Sequence, residues 1–177
     1  MTDDPARDVD GRIGEAWSGE APNGSHINLV VARRGLPTAA AVVGALAAPR
    51  PGHVPFLACV EPGVVVRPTT VVVNKSTIDG DALGRMTWGA AQLGIAQGVL
   101  DAVADGVLEA EAADDTVLLV AVWVDPKAHD EAAVKEANRT ATRAAVVDAL
   151  TVHPADVVLD VAARREQAYN AFFGSAP

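Results

Sequence analysis

The sequence predicts an α+β fold in which one mixed β-sheet is packed by helices as a two-layer α/β sandwich. Strand-like and helix-like segments follow one another in the order β-β-α-β-β-α-β-α, which is not the regular βαβ series of a doubly wound parallel sheet. Hydrophobic residues make up 50% of the 177 residues, which is enough for a sizeable core. Aromatic residues make up only 4%, so we expect a core built mainly from Ala, Val, Leu and Ile.

The first half of the chain is expected to supply strands and one helix. The dipeptide Asn23-Gly24 marks a turn between the first two strands. Pro37 suits the first turn of a helix, which the following alanine-rich segment can continue to residue 48. The strand-like segments of this half are 12–18, 26–32, about 54–60 and about 69–75.

The second half is expected to place long helices around one apolar strand. The strand 116–124 is almost wholly apolar, which is typical of a strand covered on both faces. Helices are predicted over about 82–106 and over 129–151, and residues 155–172 are predicted to form a further helix or an ordered tail. The helix over 82–106 has an apolar stripe with steps of three and four residues: Leu83, Met86, Ala90, Leu93, Ala96, Leu100 and Val103.

These segments are expected to form one domain over residues 12–152. The polar residues 1–11 read as a flexible N-terminal segment, and residues 153–177 read as a C-terminal helical extension. We see no internal repeat that would divide the chain further.

Charge and hydropathy argue against several kinds of partner. The net charge is −9 and the pI is about 4.7, which disfavours binding to nucleic acid or to an anionic membrane. No apolar run approaches the roughly 20 residues of a membrane helix. The acidic start of the chain does not resemble a secretory signal. We therefore expect a cytoplasmic protein with no nucleic-acid or membrane partner.

Motifs for common cofactors are missing from the sequence. It contains no Gly-x-Gly-x-x-Gly and no phosphate-binding loop, so a nucleotide site is not expected. The four histidines lie far apart and Cys59 has no second cysteine to join it, so no metal site is expected. A Ser-His-Asp arrangement stays open, although no nucleophile-elbow sequence supports it. Acid–base chemistry on an organic substrate, or simple binding, remains.

The segment 26–32 carries the most informative polar pair. Alternation along a strand directs His26 and Asn28 to one face of the sheet, and Ile27 and Leu29 to the other. The pair combines an ionisable ring with a hydrogen-bonding amide on a rigid element. Since a histidine near a strand start is more often an ordinary surface residue, the pair gains weight only together with other positions.

Lys75 and Gln92 are two further candidates. Lys75 ends a predicted strand, where a lysine is usually just exposed, but an ammonium at the rim of a cleft can also hold a carboxylate or a polar ring substituent. Gln92 lies beside the apolar stripe, either as a helix-flank amide or as a donor and acceptor for the edge of a heterocycle. Trp88 and Trp123 are expected in the core or in a subunit contact.

Several short segments, taken in order, form a pattern. They are Gly14-Glu15-Ala16, His26-Ile27-Asn28-Leu29, Gly52-His53-Val54-Pro55-Phe56-Leu57-Ala58, Val73-Asn74-Lys75-Ser76-Thr77, Trp88-Gly89-Ala90-Ala91-Gln92, Ala113-Asp114-Asp115 through Asp125-Pro126-Lys127-Ala128, and Asn138 with Ala141-Thr142-Arg143. This pattern resembles the formaldehyde-activating enzyme family, the tetrahydromethanopterin hydro-lyases. The similarity runs from about Gly14 to Leu150 with nearly unchanged spacing.

The resemblance implies a fold like the second domain of ribosomal protein S5 and a homopentamer with sites between subunits. It implies the condensation of formaldehyde with a reduced pterin, a co-substrate of the tetrahydromethanopterin type, to the methylene-pterin and water. By position, His26 is the implied proton donor, and Asn28, Leu57, Lys75 and Gln92 line the implied pterin site. Hydroxide is a poor leaving group, so an acid is needed, and an imidazole suits that task. No permanently bound cofactor is implied.

Asn28 departs from the family pattern, which has an aspartate at this position. An amide cannot favour an imidazolium by charge, as a carboxylate does. The family's proline at Ala90 and its histidine at Asp125 are also missing. Three hypotheses follow: a lyase acting on a reduced pterin, the same condensation on another amine or folate-like acceptor, and a non-catalytic binding or sensing module.

Overall fold

The computed structural model describes residues 9–150 and 155–168. The strands in this part of the chain are β1 (Ile13–Ser18), β2 (Ser25–Arg33), β3 (Phe56–Leu57), β4 (Cys59–Glu61), β5 (Val64–Val65), β6 (Thr69–Asn74) and β7 (Thr116–Val124). The α-helices are α1 (Pro37–Ala45), α2 (Asp81–Arg85), α3 (Gln92–Ala104), α4 (Glu131–Leu150) and α5 (Ala155–Ala163). A π-helical segment, Met86–Ala91, joins α2 to α3.

The main sheet has five strands in the order β1-β2-β7-β6-β3. Neighbouring strands are antiparallel except β6 and β7, which run parallel. Strands β4 and β5 form a separate two-stranded hairpin. The predicted α+β class with a mixed sheet is confirmed.

Helices α3 and α4 cover one face of the sheet. The inward side chains of β2, among them Ile27 and Leu29, are fully buried in this layer together with Ile95 of α3. The two helices lie close together because α3 has glycines at Gly94 and Gly98, where a Cβ atom would collide with the backbone of α4. Small residues on α3 thus allow it to pack closely against α4.

The opposite face of the sheet is only partly covered. The nine-residue α1 packs on one end of it, over Ala32, Val71 and Val117. The prediction that strand 116–124 is covered on both faces is therefore wrong for its second half. There Leu119, Ala121 and Trp123 are only half-buried, because α1 is too short to reach along the whole strand.

The predicted apolar stripe is correct at its start and only partly correct beyond the π-helical segment. Leu83 and Met86 are buried as predicted, and so is Ala96, but Leu100 is 40% exposed. A π-helical turn contains more residues than an α-helical turn, so it rotates the following helix face relative to the stripe. The fully buried residues on α3 include, instead, Ile95, Val99 and Ala102, and Ala91 precedes them in the π segment.

Other predicted boundaries differ in detail. The predicted strand 54–60 is divided into β3 and β4, and the hairpin strand β5 was not predicted. Of the predicted helix or tail at 155–172, residues 155–163 form α5 and Arg165–Gln167 form a 3₁₀ turn, while 169–172 lie outside the described residues. Within the described residues, no helix is both long and apolar enough to cross a membrane.

Candidate functional site

A polar cluster lies on the partly open face of the sheet, at the end that α1 does not cover. The strand register pairs His26 of β2 with Trp17 of β1 and with Trp123 of β7. Asn28 is paired with Glu15 of β1 in the same way. Because alternate residues of a strand share a face, these side chains lie opposite the helix-covered core. The expectation that His26 and Asn28 share one face is confirmed.

Lys75 brings the two predicted strand residues together. Its Nζ donates to Oδ1 of Asn28 over 2.9 Å and lies 3.0 Å from Nδ1 of His26. Lys75 directly follows β6, and its backbone N–H donates to the carbonyl of Val122 over 2.7 Å. The parallel pairing of β6 with β7 thus carries the lysine across the sheet toward β2.

The turn that follows Lys75 is held by side chains on both sides. The amide of Asn74 is buried and donates to the carbonyl of Gly52 over 2.7 Å. The hydroxyl of Ser76 donates to the carbonyl of Val124 over 3.2 Å. His53 bonds to the Asn74 carbonyl through Nδ1 over 2.9 Å, so this histidine has a structural role in fixing the turn.

Glu15 completes the cluster, although sequence reasoning assigned it no role beyond membership of a motif. Its Oε1 lies 2.6 Å from Nε2 of His26. Its side chain is 64% exposed, whereas the His26 side chain is 25% exposed. Glu15 and His26 are eleven positions apart, and only the β1–β2 pairing makes them neighbours. Outward-facing acidic residues on a strand predicted to pair with 26–32 would have been the signal to look for.

The hydrogen-bond partners determine the tautomer of His26. A lysine ammonium can only donate, so Nδ1 accepts from Lys75. The ring hydrogen is then on Nε2, from which it is donated to the Glu15 carboxylate. Both ring nitrogens therefore take part in a series of hydrogen bonds that joins the Glu15 carboxylate, the His26 imidazole and the Lys75 ammonium.

Burial gives Lys75 an unusual electrostatic state. Its loss of solvent lowers the pKa of the ammonium from 10.5 to about 8, and the negative charge of Glu15 opposes that shift. A lysine with a pKa of about 8 is able to exchange protons close to neutral pH. The cluster therefore has two groups suited to proton transfer, the imidazole and this ammonium.

Two tryptophans form an aromatic wall beside the cluster. The ring of Trp17 lies 5.7 Å from that of His26 and 5.4 Å from that of Trp123, measured between centroids. Trp17 is 44% exposed, so this wall faces outward rather than into the core. Trp88 lies elsewhere, 47% exposed, beside an open cleft of about 580 Å³ whose lining includes Arg85 and Glu131.

The remaining two predicted site residues are not part of this cluster. Leu57 is on β3, paired with Val71, and packs in the small core beneath α1. Gln92 begins α3 in the helical layer, on the other side of the sheet from His26. One chain thus assembles His26, Asn28 and Lys75, and it leaves Gln92 apart from them.

Among residues 9–150 and 155–168, no three His, Cys, Asp or Glu side chains are grouped so that they could hold a metal ion.

Comparison with known proteins gives one consistent family. Residues 13–173 match the family described as formaldehyde-activating enzyme (Fae). The chain is 40% identical over 160 residues to the 5,6,7,8-tetrahydromethanopterin hydro-lyase of Methanosarcina barkeri, an alignment that covers 90% of this chain and 89% of that protein.

Longer relatives match over part of their length. The chain is 32% identical to the bifunctional enzyme Fae/Hps of Methanothrix thermoacetophila, covering 80% of this chain and 36% of that enzyme. It is 32% identical to the bifunctional enzyme Fae/Hps of Archaeoglobus fulgidus, covering 92% of this chain and 41% of that enzyme. The chain therefore spans well under half of these bifunctional relatives. The match over residues 13–173 and the near full-length similarity to the hydro-lyase show that this chain belongs to the formaldehyde-activating enzyme family.

Proposed function

We propose that the protein is a carbon–oxygen lyase that condenses formaldehyde with a reduced pterin of the tetrahydromethanopterin type, giving the methylene-pterin and water. The observation that carries this proposal is the contact of Nζ of Lys75 with both His26 and Asn28, over 3.0 Å and 2.9 Å, in a protein of this family. The relative that is 40% identical is named for this substrate.

The chemistry requires one acid and one binding surface. A pterin amine adds to the carbonyl carbon of formaldehyde and forms a hydroxymethyl adduct. An acid protonates the hydroxyl oxygen, which leaves as water, and the second pterin nitrogen attacks the resulting iminium carbon and releases a proton. In this proposal His26 is the acid, because an imidazole gives up a proton readily near neutral pH. Holding both reactants at the cluster supplies proximity.

Asn28, Leu57, Lys75 and Gln92 are proposed to line the pterin site. The ammonium of Lys75 and the amide of Asn28 offer donors to the polar ring edge. Both are half-buried beside the aromatic wall of Trp17 and Trp123, which offers a flat apolar surface to a heterocycle.

A complete site of this kind is proposed to lie between subunits of a homopentamer. Two features support this: Gln92 lies across the sheet from His26 within one chain, and α1 leaves part of the site-bearing face uncovered. Co-expression of His26→Gln and Gln92→Ala chains then restores activity, because some interfaces combine the intact residue of each. Activity no higher than that of either variant alone would contradict a shared site, and light scattering of the purified protein tests the number of subunits.

The first test of function measures methylene-pterin formation by absorbance from formaldehyde and tetrahydromethanopterin, with and without the protein. We expect a saturable acceleration above the spontaneous rate, lost in His26→Gln and retained in His129→Gln. His129 is an exposed histidine whose Nδ1 bonds to the Lys127 carbonyl, so it serves as the matched control. A rate equal to the spontaneous one at every protein concentration would refute tetrahydromethanopterin as the acceptor and would favour another acceptor or a binding role.

Asn28 favours a second candidate, the same condensation on a different amine or folate-like acceptor. Its neutral amide occupies a position where the family pattern has a charged aspartate, and it contacts Lys75 directly. A faster rate with tetrahydrofolate than with tetrahydromethanopterin would support this candidate. Saturable binding without acceleration of any acceptor would instead indicate a binding or sensing module. The cytoplasmic location and the lack of a permanently bound cofactor stay predictions.

A further inference from the structure

We propose that Glu15 is a positioning residue for the reaction: it holds Nε2 of His26, so that Nδ1, on the side of Lys75, is the ring nitrogen that transfers the proton. The catalytic role of Glu15 rests on the proposed function. The contacts of His26 with Glu15 and Lys75 are present in the protein without substrate.

The two ring nitrogens of His26 have different partners. Nε2 lies 2.6 Å from Oε1 of Glu15, and Nδ1 lies 3.0 Å from Nζ of Lys75. A carboxylate can only accept and an ammonium can only donate, so the ring hydrogen is on Nε2. A carboxylate that holds one imidazole nitrogen fixes the tautomer and orientation of the ring and stabilises its protonated form. The other nitrogen, Nδ1, faces Lys75 and is the one that exchanges a proton.

The backbone of Glu15 is held so that its side chain keeps this direction. Its N–H donates to Oδ2 of Asp148 on α4 over 3.0 Å. The preceding Gly14 is buried against α4, where a Cβ atom would collide with the backbone of Ala145. Pairing with Asn28 on β2 fixes the register that points the carboxylate at His26. The backbone of Glu15 is therefore firmly held, whereas its side chain is 64% exposed. Because the side chain is not part of the core, its contact with His26 positions the ring and does not serve core packing.

The protons balance without a further reactant. His26 gives the proton on Nδ1 to the leaving hydroxyl oxygen, after receiving it from the ammonium of Lys75. Closure of the pterin ring releases one proton from the second nitrogen, and this proton restores the ammonium. Throughout the cycle the hydrogen on Nε2 stays on the ring, bonded to Glu15. Lys75 has a third hydrogen beyond those directed at His26 and Asn28, which is available to the bound reactants.

The test compares Glu15→Gln and Glu15→Ala with the control Glu20→Gln, an exposed carboxylate in the connection between β1 and β2. A glutamine keeps an oxygen that can accept from Nε2 but removes the charge, and an alanine removes both. We expect kcat to fall least in Glu15→Gln and by roughly 10–100-fold in Glu15→Ala, the range typical of groups that orient a metal-ligating histidine. We expect KM for the pterin to change little, and Glu20→Gln to behave as the unaltered protein.

An NMR measurement tests the contact between His26 and Glu15 directly. In ¹⁵N-labelled protein without substrate, at about pH 7.5 where unperturbed imidazoles are mostly neutral, we expect His26 to show a hydrogen on Nε2, with a downfield signal that exchanges slowly with water. The signal is lost in Glu15→Ala and kept in Glu20→Gln. A hydrogen found on Nδ1, or a signal and kcat unchanged in Glu15→Ala, would overturn the inference.

The two proposals fail in different ways. If the protein accelerates no condensation, the proposed function fails, and a downfield signal that depends on Glu15 still supports the positioning contact. If condensation is accelerated but neither the signal nor kcat depends on Glu15, only the positioning inference fails.

Discussion

The two faces of the β2 strand differ in what surrounds them. Ile27 and Leu29 face helices α3 and α4 and are fully buried among apolar side chains. His26 and Asn28, their immediate neighbours in sequence, face the other way into a half-open cluster with Glu15 and Lys75. One face is closed by two long helices, and the other is covered by α1 only at one end.

The difference shows how one strand can serve two purposes. The side-chain period of two separates a face that stabilises the fold from a face that carries charged groups. Burial on the helix face contributes free energy of unfolding roughly in proportion to apolar area. On the site face, partial burial lowers the pKa of Lys75 and so makes its proton available near neutral pH. Substitutions on the two faces are therefore expected to affect different measurements.

The largest effect on activity is expected from His26→Gln. It removes the proposed acid, and loss of a general acid typically costs roughly 10²–10⁴-fold in rate. The side chain is 25% exposed and makes no part of the core, so we expect the free energy of unfolding to change by less than about 1 kcal/mol. Denaturant unfolding and steady-state kinetics measured on the same preparation test both expectations. An active His26→Gln protein would remove His26 from the mechanism.

The largest effect on stability is expected from Ile27→Ala, the adjacent residue on the helix face. Removing a fully buried isoleucine side chain costs about 2–5 kcal/mol of unfolding free energy, because a cavity remains in the packed layer. Protein that is still folded should keep its kcat, since the register of His26 on β2 is unchanged. A loss of kcat that matches the loss in His26→Gln, at a temperature where the variant is folded, would show that the two faces are not independent.

An intermediate effect is expected from pH acting on Lys75. Activity should fall as pH rises through about 8, because the ammonium that donates to His26 and Asn28 is lost there. The free energy of unfolding should instead increase as the pH rises. The folded pKa is lower than the unfolded one, so between about 8 and 10.5 the unfolded chain binds more protons, and the free energy of unfolding rises with pH in this window.

Two Lys75 variants separate these effects. Lys75→Arg keeps its charge throughout the window but cannot release a proton, so we expect a strongly reduced rate from which the alkaline fall is absent. Lys75→Met should remove the rise in stability between about pH 8 and 10.5 that Lys75 contributes. An unchanged alkaline limb in Lys75→Arg would assign that limb to another group.

The smallest effect is expected from Asn28→Asp. A carboxylate at this position would lie about where Oδ1 now accepts from Lys75 at 2.9 Å, and an opposite charge raises the pKa of a lysine. The alkaline limb should therefore move to higher pH, and the rate with tetrahydromethanopterin should increase. Asn28→Ser keeps the position neutral and separates the effect of charge from that of size. Identical pH profiles for the Asp variant and the unaltered protein would show that Asn28 does not tune the lysine.

Much of the fold could be predicted because it depends on local patterns. Alternation in 26–32 predicted which side chains share a face, and the dipeptide Asn23-Gly24 predicted the turn between the first two strands. The apolar stripe was predicted correctly up to Met86 and only in part after it, where Ala96 is buried and Leu100 is exposed. Beyond it, the π-helical segment changed the phase of the helix, and tight packing of Gly94 and Gly98 against α4 selected a different buried face.

The sequence by itself determined the α+β class, the opposite directions of His26 and Ile27, and the family pattern, since these follow from periodicity and from residue order. Only the tertiary structure decided that Glu15 and Lys75 bracket His26, and that Gln92 lies on the far side of the sheet. The physical reason is that hydrogen bonds over 2.6–3.0 Å depend on strand order and register. Those are set by the packing of the whole sheet against its helices, and no short stretch of sequence contains them.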